Sequence, residues 1–223
     1  MPKQATSADI FMQINPDSAA SEAFRSLRFN IEAAALDHGV KTITVTSSGH
    51  GEGKTTTAIN LAVAYAQIGK RVVLIDADLR KPSIHLTLGG DAGRGLTNYL
   101  LNDSAVDGII QDSYVDQLSV IPAGSMQPNP SELLASSRMS LLLDELRERF
   151  DIIFIDTPPL LTLTDAKIMS AKSDGVLLVI EHGKLKRIVA KKVKEELELA
   201  KANLLGIVMN QISSRDAGAY LYQ

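Results

Sequence analysis

An α/β domain with a mostly parallel sheet and helices on both faces is what this 223-residue sequence predicts. Three observations point to it. Short apolar, β-branched runs alternate with longer stretches of helical periodicity. The runs are apolar throughout, as in strands covered on both faces. The polar motifs that stand out each follow such a run, at the carboxyl end where open parallel sheets bind ligands. No internal repeat or low-complexity linker interrupts the chain, so a single domain is expected over residues 1–223.

Composition sets the bounds. Hydrophobic content of 45% against 22% charged residues is ordinary for a globular protein with one sizeable core. A net charge of −3 gives no global attraction to nucleic acid or to an anionic membrane. There is no cysteine, which rules out disulfides and thiolate-held metals. No apolar run approaches the length of a spanning helix, and the N-terminus lacks a secretion signal. The expectation is a cytoplasmic protein, with a membrane-bound partner left open.

The elements follow in order. Residues 1–17 contain Pro2, Asn15 and Pro16 without periodicity and read as an extended arm. Asp17 and Ser18 offer a cap to a helix over 18–36, with Phe24, Leu27, Ile31 and Ala34 on one face and Glu22, Arg25 and Arg28 on another. The run 42–46 reads as a strand and 57–65 as a helix, with a glycine-rich loop between them. A buried strand at 71–75 precedes a glycine-containing loop at 83–95 and short helical pieces at 96–101 and 105–111. A strand at 118–121 leads through the turn 126–130 to a helix capped by Ser131 and running to about 150. Strand 151–155, a short helix at 166–171, strand 175–180, a long helix at 185–202 and strand 205–209 complete a core spanning 38–210. Residues 211–223 read as a loose polar tail.

The loop Ser48-Gly49-His50-Gly51-Glu52-Gly53-Lys54-Thr55-Thr56 is the clearest chemical signal. Strand, glycine-rich loop, Gly-Lys-Thr and helix form the context of a phosphate-binding loop, so the sheet is expected to be of the P-loop NTPase type. Glycines let successive N–H groups turn inward toward phosphate oxygens, and the positive end of the following helix adds to that field. Lys54 would reach the β- and γ-phosphates and the Thr55 hydroxyl would ligate Mg²⁺. The usual first glycine is here Ser48. His50 lies in the loop and need not be catalytic.

Asp76 and Asp78 follow one buried strand with a single residue between them, and Asp156 ends another. Asp156 matches a metal-holding carboxylate. It and one of the pair would hold Mg²⁺ or its waters with Thr55, giving Thr55, Asp76 and Asp156 as the metal set. The other member would accept a proton from the attacking hydroxyl, and the residues leave open whether that is Asp76 or Asp78. Asp78 could instead cap the loop that follows it. Arg80 and Lys81 suit either transferring phosphate charge or solvent. Asn210, closing the last strand, could read an adenine edge or serve as a turn residue.

These motifs resemble the bacterial tyrosine kinases of capsule and exopolysaccharide synthesis. The likeness runs from about Ser21 to the C-terminus. It rests on the phosphate loop, on Leu74-Ile75-Asp76-Ala77-Asp78-Leu79-Arg80-Lys81-Pro82, on Ile153-Phe154-Ile155-Asp156-Thr157-Pro158-Pro159, and on Glu22-x-x-Arg25-x-x-Arg28. The resemblance implies ATP and Mg²⁺ as cofactors and phosphorylation of tail tyrosines in trans, which here are Tyr220 and Tyr222. It implies a homo-oligomeric ring, with an octamer as the suggested size, closed by the Glu22, Arg25 and Arg28 helix. It also implies a membrane-bound modulator whose cytoplasmic tail activates the kinase at the inner face of the cell membrane, and protein substrates bearing tyrosine, without nucleic acid. Tyr65 reads as core, while Tyr99 and Tyr114 suit the tail role poorly. The same aspartate motifs resemble the division-site and chromosome-partition ATPases. Those carry a lysine five residues before the loop lysine, where this chain has Gly49. A helix with Lys184, Lys186, Arg187, Lys191, Lys192 and Lys194 could imitate their basic face, but Glu195, Glu196 and Glu198 point to solvent.

Overall fold

A computed structural model describes residues 10–35 and 39–212. Its centre is a seven-stranded sheet of order β3-β4-β2-β5-β1-β6-β7. The strands are β1 (Thr42–Ser47), β2 (Val72–Asp76), β3 (Gln111–Asp112), β4 (Leu118–Ile121), β5 (Ile152–Asp156), β6 (Gly175–Glu181) and β7 (Leu204–Asn210). Every pairing is parallel except that of β3 with β4 at one edge. The predicted fold class is therefore the observed one.

The helices are α1 (Phe11–Ile14), α2 (Ala19–Ala35), α3 (Lys54–Ala66), α4 (Ile84–Leu88), α5 (Leu96–Leu100), α6 (Pro130–Ala135), α7 (Ser137–Arg149), α8 (Thr164–Lys172) and α9 (Arg187–Leu199). On one face of the sheet α3 is buried along its length, with α2 packed outside it. That double cover explains why α3 is apolar nearly all round. Tyr65 packs edge-on against Phe154 with ring centroids 5.5 Å apart, so its place is in the core as expected. Buried Asn60 spends its amide on the protein, accepting from Met12 N–H and donating to the Thr56 carbonyl. On the other face α5, α6 and α7 cover β2, β4 and β5, while α9 covers β6 through Val193 and Leu197.

Four local expectations are corrected. The arm is not wholly extended: α1 seals Met12 against α3, and Phe11 stacks on Phe24 at 6.5 Å. The loop at 83–95 contains α4, held by buried Ile84 and Leu88. The segment 105–111 holds only a 3₁₀ turn, Val106–Gly108, before the short strand β3. The helix read as continuous from 131 to about 150 breaks at Ser136, whose backbone is extended and whose hydroxyl donates to the Leu133 carbonyl. Pro130 opens α6 at a position where its missing N–H costs nothing, and Ser131 is free for another role. Ser18 does cap α2, its Oγ accepting the Ser21 N–H at 3.2 Å.

Candidate functional site

The central strand β1 delivers the phosphate loop, because its neighbours β5 and β6 fix its end from both sides. After Ser47 the chain turns through Gly51 and Gly53, which take φ of +79° and +88°. Those left-handed values suit glycine. Gly49 does not adopt one. Gly53 caps α3 without offering a side chain, so the first N–H groups of the helix remain available to an anion.

Glu52 explains the serine at position 48. Its carboxylate accepts the Ser48 hydroxyl at 2.7 Å and the Gly49 N–H at 2.9 Å, stapling the loop to itself. Two residues from the far end of the chain hold the same loop. Asn210 Nδ2 donates to the Glu52 carbonyl and Gln211 Nε2 to the Gly51 carbonyl, both at 2.9 Å. A Cβ on Gly53 would lie 2.0 Å from Asn210 Nδ2. Asn210 thus has one donor engaged by the loop. The parts played by Gln211 and by the Glu52 carboxylate are not signalled by any sequence pattern. His50 is exposed.

The three aspartates meet beside this loop. Asp76 and Asp156 are direct register partners on β2 and β5, which is why two distant motifs converge. Asp156 Oδ2 accepts the Thr55 hydroxyl at 2.6 Å. Lys54 Nζ lies 3.3 Å from Asp78 Oδ2 and 3.3 Å from the Thr55 hydroxyl. Asp78 also accepts the Lys81 N–H, so it caps its loop while facing the lysine, and it is buried rather than open to solvent. Asp76 accepts the N–H groups of Ser83 and Ile84 on one oxygen and that of Asp78 on the other. The loop bearing Asp78 is thereby organised around Asp76.

Burial dominates the electrostatics. It pushes Asp76 up to about 7, with the charge of Asp156 adding to the rise and the Ile84 and Ser83 N–H groups opposing it. Burial likewise raises Asp156, against the pull of Lys54 and Thr55. For Lys54 burial acts downward, but Asp156, Asp78 and Asp76 together hold its pKa above the ordinary value.

The donor set fits Mg²⁺. Asp156 Oδ1 is buried without a hydrogen-bond partner, next to the hydroxyl of Thr55. Among the described residues no three carboxylate or imidazole groups converge as a cage. That suits an ion held by one or two protein oxygens and completed by phosphates and water.

Arg80 turns from the loop toward fully buried Asp165, with Nε 3.0 Å from its carboxylate and a terminal nitrogen 3.3 Å from the Ser131 hydroxyl, which itself donates to Asp165. Of the other tyrosines, Tyr99 is buried beneath the Arg138 guanidinium at 4.4 Å, and exposed Tyr114 donates to the Thr87 carbonyl. Tyr220 and Tyr222 lie outside the described residues. In α2, Arg25 pairs with Glu22 at 3.0 Å and donates to the Pro16 carbonyl, while Arg28 Nε is buried without a partner. No helix among the described residues is long and apolar enough to cross a membrane.

Comparison with known proteins agrees with this geometry. Residues 40–204 match the family described as AAA domain. The chain is 44% identical over 202 residues to the tyrosine-protein kinase YwqD of Bacillus subtilis, covering 91% of this chain and 85% of that one. The crystal structure of the chimerical protein CapA2B2 is similar with a TM-score of 0.87 at 36% identity, over 96% of both chains. The cell division ATPase MinD of Pyrococcus furiosus shares the fold less fully, with a TM-score of 0.66 at 27% identity over 78% of this chain and 74% of that one. The chain belongs to the bacterial protein-tyrosine kinases.

Proposed function

We propose that this chain transfers the γ-phosphoryl group of ATP to tyrosine hydroxyls, first to Tyr220 and Tyr222 of neighbouring copies in a homo-oligomer. The observation that carries the reading is the 3.3 Å contact between Lys54 and Asp78, which joins the phosphate loop to the second aspartate motif. Lys54 and Thr55 are held by Asp78 and Asp156. Phosphates entering the loop take the lysine and the helix N-terminus, which releases Asp78 to face an incoming hydroxyl. Asp78 then accepts the tyrosine proton while Asp76 keeps its loop in place. Thr55 and Asp156, with Asp76 nearby, would hold Mg²⁺, which supplies neutralising charge to the phosphates when bound. The Arg80–Asp165–Ser131 link fixes the far end of the aspartate loop, and Asn210 would read an adenine edge.

The membrane and the pathway enter through the same family. A membrane-bound modulator with a cytoplasmic segment would bring the chain to the inner face of the membrane and activate it, in the service of capsule or exopolysaccharide synthesis and export.

Incubation with ATP and Mg²⁺, together with a modulator segment, should produce acid-stable phosphotyrosine, located by mass spectrometry at Tyr220 and Tyr222. Lys54→Met should lower labelling at least ~10²-fold, because the transferring charge loses its cation in a low-dielectric site. Release of inorganic phosphate with no phosphotyrosine would move the chain to the positioning ATPases. Full labelling of a Tyr220→Phe, Tyr222→Phe double variant would place the acceptors elsewhere.

A further inference from the structure

Helix α9 carries its charges the wrong way round for its own stability. The stretch up to Lys194 holds Lys184, Lys186, Arg187, Lys191, Lys192 and Lys194, and the stretch after it holds Glu195, Glu196 and Glu198. There is no acid in the first turn and no base in the last. The macrodipole favours the opposite placement. Two of its internal ion pairs, Lys191–Glu195 at 3.7 Å and Lys194–Glu198 at 3.6 Å, also run in the weaker order of base before acid. The fold gains little from such an arrangement.

The outward stripe is as distinctive as the charge. Val193 and Leu197 are buried against β6, so the opposite face looks into solvent. Ile188, Lys191, Lys192, Glu195 and Leu199 lie along it at helical spacing. Ile188 is 76% exposed and Leu199 80%, among the most exposed large apolar side chains of the described residues. Apolar, basic, acidic, apolar is a sequence that complements itself when reversed.

We propose that the outer face of α9 is a self-association surface, pairing antiparallel with the same face of a second copy. The two-fold axis passes between Val193 and Lys194. Ile188 then packs on Leu199 of the partner subunit, and Lys192 faces Glu195 of the partner subunit, each contact occurring twice. An anionic bilayer would favour the basic half but repel Glu195 and Glu198, so the two-signed stripe selects a second copy over a lipid surface. The pairing does not depend on the kinase reading. It is also separate from any contact through α2, which lies on the other face of the sheet.

The absence of native cysteine makes a direct test clean. A chain carrying Ile188→Cys and Leu199→Cys should form an interchain disulfide on mild oxidation. The two positions lie about 16 Å apart along one helix, so they cannot close within a chain. Adding Lys192→Glu or Glu195→Lys alone should lower the cross-linking rate roughly tenfold, because two symmetric pairs become repulsive. Combining both swaps should restore it, with circular dichroism unchanged throughout. Cross-linking that ignores the single swaps, or a combination no better than either, would overturn the pairing. So would failure of the cysteine pair to cross-link; sedimentation of the wild-type protein with vesicles of phosphatidylglycerol and phosphatidylcholine in equal parts would then assign the face to a lipid surface instead.

Discussion

Lys54, Asp78, Thr55 and Asp156 hold one another, and Asp76 stands behind them as the organiser of a loop. The titration of Asp76 tests that picture. Its folded pKa of about 7 lies above the ordinary 3.8. A carboxyl raised in this way binds its proton more tightly when folded, so its contribution to stability is fullest below 3.8 and declines as pH rises to about 7. Carbon-13 titration of the Asp76 carboxyl in magnesium-free protein should inflect near 7, and magnesium with nucleotide should move the inflection down. An inflection near 4 would remove the burial argument. At this scale the sequence was readable for the aspartates, since a buried strand ending in Asp announces its side chain's position. It was silent on Glu52 and Asp165, because a carboxylate that ties a loop to itself or receives an arginine from another element leaves no local pattern.

Among the elements, the phosphate loop is wedged as well as curled. Asn210 fills the space beside Gly53 that a Cβ would need, at a backbone angle that side chains disfavour. Gly53→Ala should therefore weaken ATP binding roughly tenfold or more while leaving the fold intact. Gly69→Ala is the matched control: it has φ of +80° but nothing near its Cβ, so it should change stability without changing ATP affinity. Equal losses of affinity in both would point to general strain, and calorimetry would separate them. The strands were legible because β-branched apolar runs have few other places to go. The short elements were not. Helix α4 is fixed by two buried side chains, β3 by its pairing with β4, and the break at Ser136 is met by α8, whose Lys172 donates to the Ser136 carbonyl. Each is decided by a neighbour distant in sequence.

Across the whole molecule, α2 carries an exposed Glu22, an Arg25 engaged locally and an Arg28 whose Nε is buried and unpartnered. On the oligomeric reading, Glu22, Arg25 and Arg28 carry the contact of this helix with a neighbouring copy. Arg25→Ala combined with Arg28→Ala should reduce assembly, seen as a lower mass by sedimentation equilibrium; an unchanged mass would sink the role given to this helix. The architecture as a whole could be read from alternation and composition, but how copies meet could not, since surface side chains answer to partners outside the chain. One further consequence follows from Asn210 and Gln211, which grip neighbouring carbonyls of the phosphate loop immediately before the chain continues toward its terminal tyrosines. On the proposed reading, the segment bearing Tyr220 and Tyr222 is moored through Asn210 and Gln211 to the phosphate loop of its own subunit. A neighbour's active site that took hold of that segment would load the mooring, and slackening it would loosen the seat of the nucleotide in the subunit being modified.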